Sequence, residues 1–258
     1  VVTIEKENIR GVVEKPHDMI SNIVLTGVYC LCDKIFKHIE RNIALGEYGL
    51  SNAVNSSLSE RPVTPVFSNG LWIDAVYPWD LLELNAAALE QLPVKTSGKV
   101  EPQVQIHGPV GIGDETVIRS GTTIYGPVLI GDGCEIGPNV TIFPSTSIGN
   151  SVLIEPFTMV KNSIVMSNCS IGAHSYVSHC VLGYGTKSQS HLMAPGAEAY
   201  VNISDEFFKV PHIGSIVGED TSFGTGVVME PGTVVGSECK VSSGAKITRN
   251  LPNRSLVT

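Results

Sequence analysis

No apolar run in this 258-residue sequence approaches the roughly 18 residues that a membrane-spanning helix needs, so no membrane partner is expected. The start, Val1-Val2-Thr3-Ile4-Glu5, has neither the basic nor the apolar region of a signal peptide. An initiating Met is also missing, which reads as a chain that begins inside a longer gene product. Positive charge is scarce: 17 Lys and Arg face 25 Asp and Glu, a net −8 that would repel a nucleic-acid duplex. Cysteine is sparse too, with Cys30, Cys32, Cys134, Cys169, Cys180 and Cys239 in no CxxC pairing. Neither a disulfide framework nor a zinc site is expected, and reduced thiols in a cytoplasmic protein are the default. Cys30 and Cys32 would share one strand face, a poor geometry for bonding each other. What remains, 42% hydrophobic and 16% charged, is the composition of a folded chain with a substantial core, in one large domain or two modest ones.

The strongest pattern is a repeat. Ile106, Ile112, Ile118, Ile124, Ile130, Ile136, Ile142, Ile148, Ile154 and Val160 recur every six residues without a miss. A second run follows at Val217, Phe223, Met229, Val235, Val241 and Ile247. Four residues after each aliphatic stands a small or β-branched residue, as at Val110, Thr116, Thr122, Val128 and Cys134. Neither a helix nor a hairpin has this period; a three-residue strand followed by a tight turn does. Each strand then forms one flat side of a coil and its aliphatic lies over the equivalent residue of the coil below. Gly111-Ile112-Gly113 and Gly131-Asp132-Gly133 are accordingly turns of the repeat and not phosphate loops, since neither opens a helix. The phase slips by one at Val165 and again at Leu182, and from Gly183 to Ser215 the repeat is lost, which points to an extruded loop.

The first ninety residues differ in texture. Val1–Ile4 and Ile9–Val13 alternate around Lys6-Glu7-Asn8 and predict a hairpin. Ile23 to Leu31 reads as a third strand, Asp33 to Asn42 as a helix capped by Asp33, and Trp79 to Leu92 as a second helix. The expected domains are 1–92 and 104–258, joined by a linker at 93–103.

The hexad period resembles that of the left-handed β-helix acyltransferases, and the left hand is implied by that resemblance alone. In the N-terminal segment, Gly11-Val12-Val13-Glu14-Lys15-Pro16, Thr26-Gly27-Val28-Tyr29, Trp72-Ile73-Asp74 and Pro78 to Asn85 follow the order found in sugar-1-phosphate nucleotidylyltransferases. The whole chain thus resembles the C-terminal part of an α/β nucleotidyltransferase domain joined to a β-helix. That is the layout of archaeal bifunctional sugar-1-phosphate nucleotidylyltransferase/acetyltransferases, similar to the bacterial enzyme that makes UDP-N-acetylglucosamine. The resemblance implies attack of a sugar-1-phosphate on the α-phosphate of a nucleoside triphosphate, with Mg²⁺ neutralising the developing charge. It implies Glu14, Thr26 and Gly27 as sugar-site residues, Lys15 at the sugar phosphate, and Asp74 as one metal ligand. The family's Gly-rich nucleotide loop with its Arg, and its second metal Asp, have no counterpart here, so only part of that site is expected.

Acetyl transfer from acetyl-CoA to an amino sugar needs a base and donors for the oxyanion. By resemblance, His174 is nearest the family's base, Tyr176 matches the Tyr of its His-x-x-Tyr arrangement, and Lys161 matches the Lys at the substrate phosphate. His179 is the second candidate base, and His174, His179 and His191 read equally as turn residues. The family's Asn-rich stretch is replaced by Tyr184 to His191, and Phe143 stands where an Arg is expected. Three functions therefore stand side by side: part of a nucleotide-sugar synthesising transferase, an acyltransferase, or a non-catalytic module. A homotrimer is expected in each.

Overall fold

A computed structural model describes residues 1–5, 7–14, 16–91 and 95–258. It forms two compact units, Val1–Ile73 and Asp74–Thr258. Among the described residues no helix is long and apolar enough to cross a membrane.

The first unit opens with the expected hairpin, Val2–Glu5 against Asn8–Val12 with Val2 opposite Val12. Val2, Ile9 and Val12 turn inward, where they meet Ile35, Ala53 and Val54; a register shift opposite Thr3 and Ile4 lets Ile9 and Val12, three residues apart, share that face. Helix α1, Ile35–Ala44, buries Ile35, His38 and Asn42 at helical spacing. Its N-terminus lies at Lys34 and receives no side-chain hydrogen bond, so Asp33 is not its cap. Helix α2, Leu50–Ser57, has no counterpart in the sequence pattern, because only Ala53 and Val54 are buried in it. Asn55 of α2 accepts a hydrogen bond from the Val12 amide at 3.1 Å and ties the helix to the hairpin. Ile23 to Leu31 is not a strand. Among the described residues the hairpin takes one backbone bond from this stretch, Val2 N–H to the Ile23 carbonyl at 2.9 Å, and Gly27 turns the chain at φ +80°.

The second unit is a parallel β-solenoid whose three faces carry eight, seven and nine strands. The first face runs from Gln105–His107 to Lys246–Ile247, the second from Val110–Ile112 to Val234–Val235, and the third from Lys99–Val100 to Leu256–Val257. The register is the one the repeat dictates: Ile112 pairs with Ile130 and Ile130 with Ile148. Ile118, Ile124, Ile130, Ile136, Ile142 and Ile154 expose no surface. Each such burial stabilises by about 1.5–3 kcal/mol. The small residues between them are buried as well; Thr116 and Thr122 satisfy their hydroxyls on the Gly131 and Gly137 carbonyls of the next coil. Gly113 shows why the turns are tight: a Cβ there would collide with the Asp132 carboxylate and the Gly131 backbone.

The first rung, Lys99–Val100, pairs with Val117–Ile118, so the coil begins within the stretch expected as linker. Helix α3, Asp80–Gln91, belongs to this second unit. Asp80 accepts the amides of Val76 and Tyr77, and Leu82 packs with Val181, Val201, Val210 and Ile213.

The phase slips are real shortenings. Ile130 to Ile148 is eighteen residues, whereas Ile148 to Val165 is seventeen, and Val165 to Leu182 seventeen again. Beyond Leu182 the repeat does not vanish. Lys187–Ser188 and Met193–Ala194 continue it, with Ser188 and Ala194 in core positions where the sequence pattern looks for aliphatics. The excursion is confined to an antiparallel arm, Ala197–Ile203 against Glu206–Ile213, after which Ile216–Val217 stacks on Val181–Leu182.

Candidate functional site

Strand Tyr176–Ser178 lies on the first face between Met159–Lys161 and Met193–Ala194, with Tyr176 beside Met159 and Ser178 beside Lys161. His174 precedes this strand and His179 follows it, so the two candidate bases occupy different corners of the same coil. Both have positive φ, 57° and 54°, in the left-handed conformation that a short corner demands.

His174 is exposed and stacked. Its ring centroid lies 5.0 Å from Phe157 and 5.3 Å from His191, nearly parallel to both, in a column of residues at equivalent corners. A second column, His107, Tyr125 and Phe143, runs along the corner between the first and second faces at 5.1 and 5.7 Å. Phe143, standing where the resemblance looks for an Arg, extends that stack and offers no cation.

His179 is half-buried at the corner where the arm departs. Ser178 Oγ lies 2.9 Å from its Nδ1, and the Lys161 carbonyl accepts its backbone amide at 3.0 Å. Both roots of the arm close on it. The Gly214 amide donates to the His179 carbonyl at 2.8 Å. A Cβ on Gly196 would lie 2.5 Å from His179 Nδ1. From the arm itself His212 reaches to a ring centroid distance of 5.7 Å. Burial pushes the His179 imidazole below its ordinary 6.5, and the positive charges of Lys161 and His212 push it the same way. The next residue, Cys180, is buried beneath, its thiol raised to about 11 by desolvation. Asn162, one coil below in the corresponding corner, holds its Oδ1 buried without a hydrogen-bond partner among the described residues. The structure thus gathers Lys161, Ser178 and His179 with His212, a residue the sequence pattern did not single out. It lies in the stretch where the repeat fails, and its residue type was the only signal.

In the first unit Glu14, Thr26 and Gly27 are exposed. A Cβ on Gly49 would lie 3.7 Å from Glu14 Oε2, so this carboxylate sits beside the N-terminal end of α2, where the helix dipole favours negative charge. The Thr26 carbonyl accepts the Trp72 indole N–H at 3.3 Å, joining two of the motifs. Lys15 lies outside the described residues. Asp74 is exposed at the start of the second unit. Among the described residues no group of three His, Cys, Asp or Glu could hold a metal ion. Elsewhere Arg119 is clamped between Glu101 and Glu135 at 2.9 and 2.8 Å, and Lys246 is paired with Glu230.

The model described as the GMPPB C-terminal domain matches residues 124–208, and that of the hexapeptide repeat of succinyl-transferase matches residues 215–249. The chain is 33% identical over 265 residues to the bifunctional protein GlmU of Methanocaldococcus jannaschii, covering 100% of this chain and 65% of the relative. It is 31% identical to the bifunctional sugar-1-phosphate nucleotidylyltransferase/acetyltransferase of Sulfurisphaera tokodaii, over 97% of this chain and 65% of the relative. The chain therefore spans somewhat less than two thirds of the length of these relatives. Among solved structures, the UDP-N-acetylglucosamine acyltransferase from Campylobacter jejuni overlaps at 14% identity and a TM-score of 0.32, over 62% of this chain and 68% of that one.

Proposed function

This chain is a homologue, along its whole length, of archaeal bifunctional sugar-1-phosphate nucleotidylyltransferase/acetyltransferases, and from that premise we propose that its coil transfers an acetyl group from acetyl-CoA to the amine of a phosphorylated amino sugar. One observation carries the reading: a half-buried His179, fixed through Nδ1 by Ser178 Oγ, adjoins Lys161 on a rigid corner. With Nδ1–H donating to Ser178 Oγ, Nε2 presents its lone pair. The amine nitrogen attacks the thioester carbonyl carbon, Nε2 takes the proton that the nitrogen loses, and as the C–S bond breaks the imidazolium returns that proton to the leaving sulfur, releasing CoA as its thiol. A pKa below the ordinary 6.5 leaves the ring mostly unprotonated, and so free to accept a proton, near pH 7. Lys161 would meet the substrate phosphate as a point charge, and Tyr176, two residues before Ser178 on the same strand, would line the sugar.

The test is thiol release with glucosamine-1-phosphate, galactosamine-1-phosphate and their nucleotide conjugates as acceptors. His179→Gln is expected to lower turnover by roughly 10²–10⁴-fold, with His174→Ala close to wild type. Loss of activity in His174→Ala with retention in His179→Gln would reassign the base to the stacked ladder. No release with any acceptor would leave the coil a scaffold, the function that Phe143 in its aromatic stack favours.

Nucleotidyl transfer from a nucleoside triphosphate to a sugar-1-phosphate belongs to the proposal for the longer protein. Glu14, Lys15, Thr26 and Gly27 would line the sugar side. Asp74 alone does not make a site for Mg²⁺, since among the described residues it belongs to no group of three His, Cys, Asp or Glu that could hold a metal ion. We further place the chain in the cytoplasm as a homotrimer, closed cyclic symmetry being the common solution for such prisms. A monomer by light scattering at micromolar concentration would overturn the trimer.

A further inference from the structure

We infer that His212, on the extruded arm, is a positioning residue that holds and shields the His179 ring; the inference rests on the acyl-transfer reading given above. The arm is anchored at both ends to the Ser178–His179 corner. At its outgoing root, Gly196 packs so closely on the imidazole that no side chain fits between them. At its returning root, the Gly214 amide bonds to the His179 carbonyl, and a Cβ on Gly214 would strike the Ser178 carbonyl. Val201, Val210 and Ile213 bury the arm's inner side against Leu82 and Val181, so its position is set by a packed core. Two residues before Gly214, His212 is carried to a tilted ring contact with His179.

Among the described residues, His179 meets the arm on more than one side. Its Nδ1 side is taken by Ser178 Oγ and the Gly196 backbone. Of the charged groups acting on it, Lys161 comes from the coil below and His212 from the arm, and both disfavour a proton on the ring. Lys209 and Glu198, the other charges of the arm's strands near this end, pair with each other at 3.2 Å. The arm therefore supplies both the cover and one of two cations. A corner histidine elsewhere on the coil has neither: His174 is exposed between two stacked rings.

The experiment follows the His179 ring resonance through a pH titration in the full chain, beside the pH profile of kcat/KM. In His212→Ala the ring loses its cover and the neighbouring charge, and both losses raise its pKa. The titration midpoint and the acid limb of kcat/KM should move together to higher pH, with the rate above about pH 8 retained. His212→Gln keeps the bulk without the charge, so it should restore part of the shift and serves if the alanine variant loosens the arm. Unchanged midpoints in both variants, with the arm still folded, would overturn the inference. A wild-type chain that transfers no acetyl group would instead remove the acyl-transfer reading, while the ring titration would still decide whether His212 governs His179.

Discussion

Ile130 and Ile148 lie in register on adjacent coils, one over the other, and both are all but sealed from solvent. The contact is repeated up the stack, so each aliphatic is simultaneously the floor of one coil and the roof of another. Replacing Ile130 by Asp puts an unpaired carboxylate in that column, at an expected cost of several kcal/mol. Ile130→Ala should cost about 2–5 kcal/mol through lost transfer energy and the cavity left behind. Denaturant melts measure both, and unchanged stability in the Asp variant would mean that this register is wrong.

The thiols should divide by burial. Cys30 and Cys32 are exposed, whereas Cys134, Cys169, Cys180 and Cys239 are buried. A disulfide reagent is expected to titrate the first pair in the native chain and the other four only after unfolding. Desolvation raises Cys169 and Cys180 to about 11. Their protonated forms are thus favoured by folding, a contribution complete below the ordinary value of 9.0 and lost as pH rises from there through about 11. Stability measured across that alkaline window should fall; a flat profile would contradict the burial.

Gly196→Ala forces a methyl group onto His179 Nδ1. The ring must move, and turnover should drop far more than thermal stability. Gly226→Ala is the control: its φ of +71° imposes backbone strain of about 1 kcal/mol, but open space surrounds it, and activity should survive. Equal activity losses in the two variants would detach the effect from His179.

In the wild-type chain the acid limb of kcat/KM should fall below 6.5, because the neutral ring persists to lower pH than a free imidazole. A limb above that value would rule His179 out as the base.

Lys161→Ala should raise KM for a phosphorylated acceptor with little change in kcat, since a phosphate contact is made alike in ground and transition states. A fall in kcat at unchanged KM would place Lys161 at the reacting atoms instead.

The coil was legible because its core positions repeat in identity as well as in spacing; from Ile112 to Val160 no position had to be inferred from context, whereas Ile106 of the same run lies exposed on the end rung of its face. Legibility stopped where identity did. Ser188 and Ala194 hold core positions without being aliphatic, so two rungs vanished from the pattern although their backbone pairing is intact. The place of Lys161 beside Ser178, seventeen residues on, was readable from the phase slip at Val165. His212 was not, because it reaches His179 only through an arm whose course is set by Val201, Val210 and Ile213 against Leu82. In the first unit, period-two alternation found the hairpin, while Ile23 to Leu31 had strand-like residues but makes no ladder. A strand's residues state a preference; its partner decides the outcome.

Side-chain oxygens stitch the turns in one direction: the Asp132 carboxylate accepts the Asp114 amide, the Asn150 side chain the Asp132 amide, and the Ser167 hydroxyl the Asn150 amide. With the parallel rungs, these bonds run along the stacking axis, so a tension applied between the ends of the solenoid loads them in series. The weakest seam yields first and the rest stay wound. Under an optical trap the solenoid should lengthen in discrete steps, each releasing one coil of seventeen or eighteen residues, about 60 Å of contour. The arm, whose two antiparallel strands bond to each other, would add its length in one larger jump.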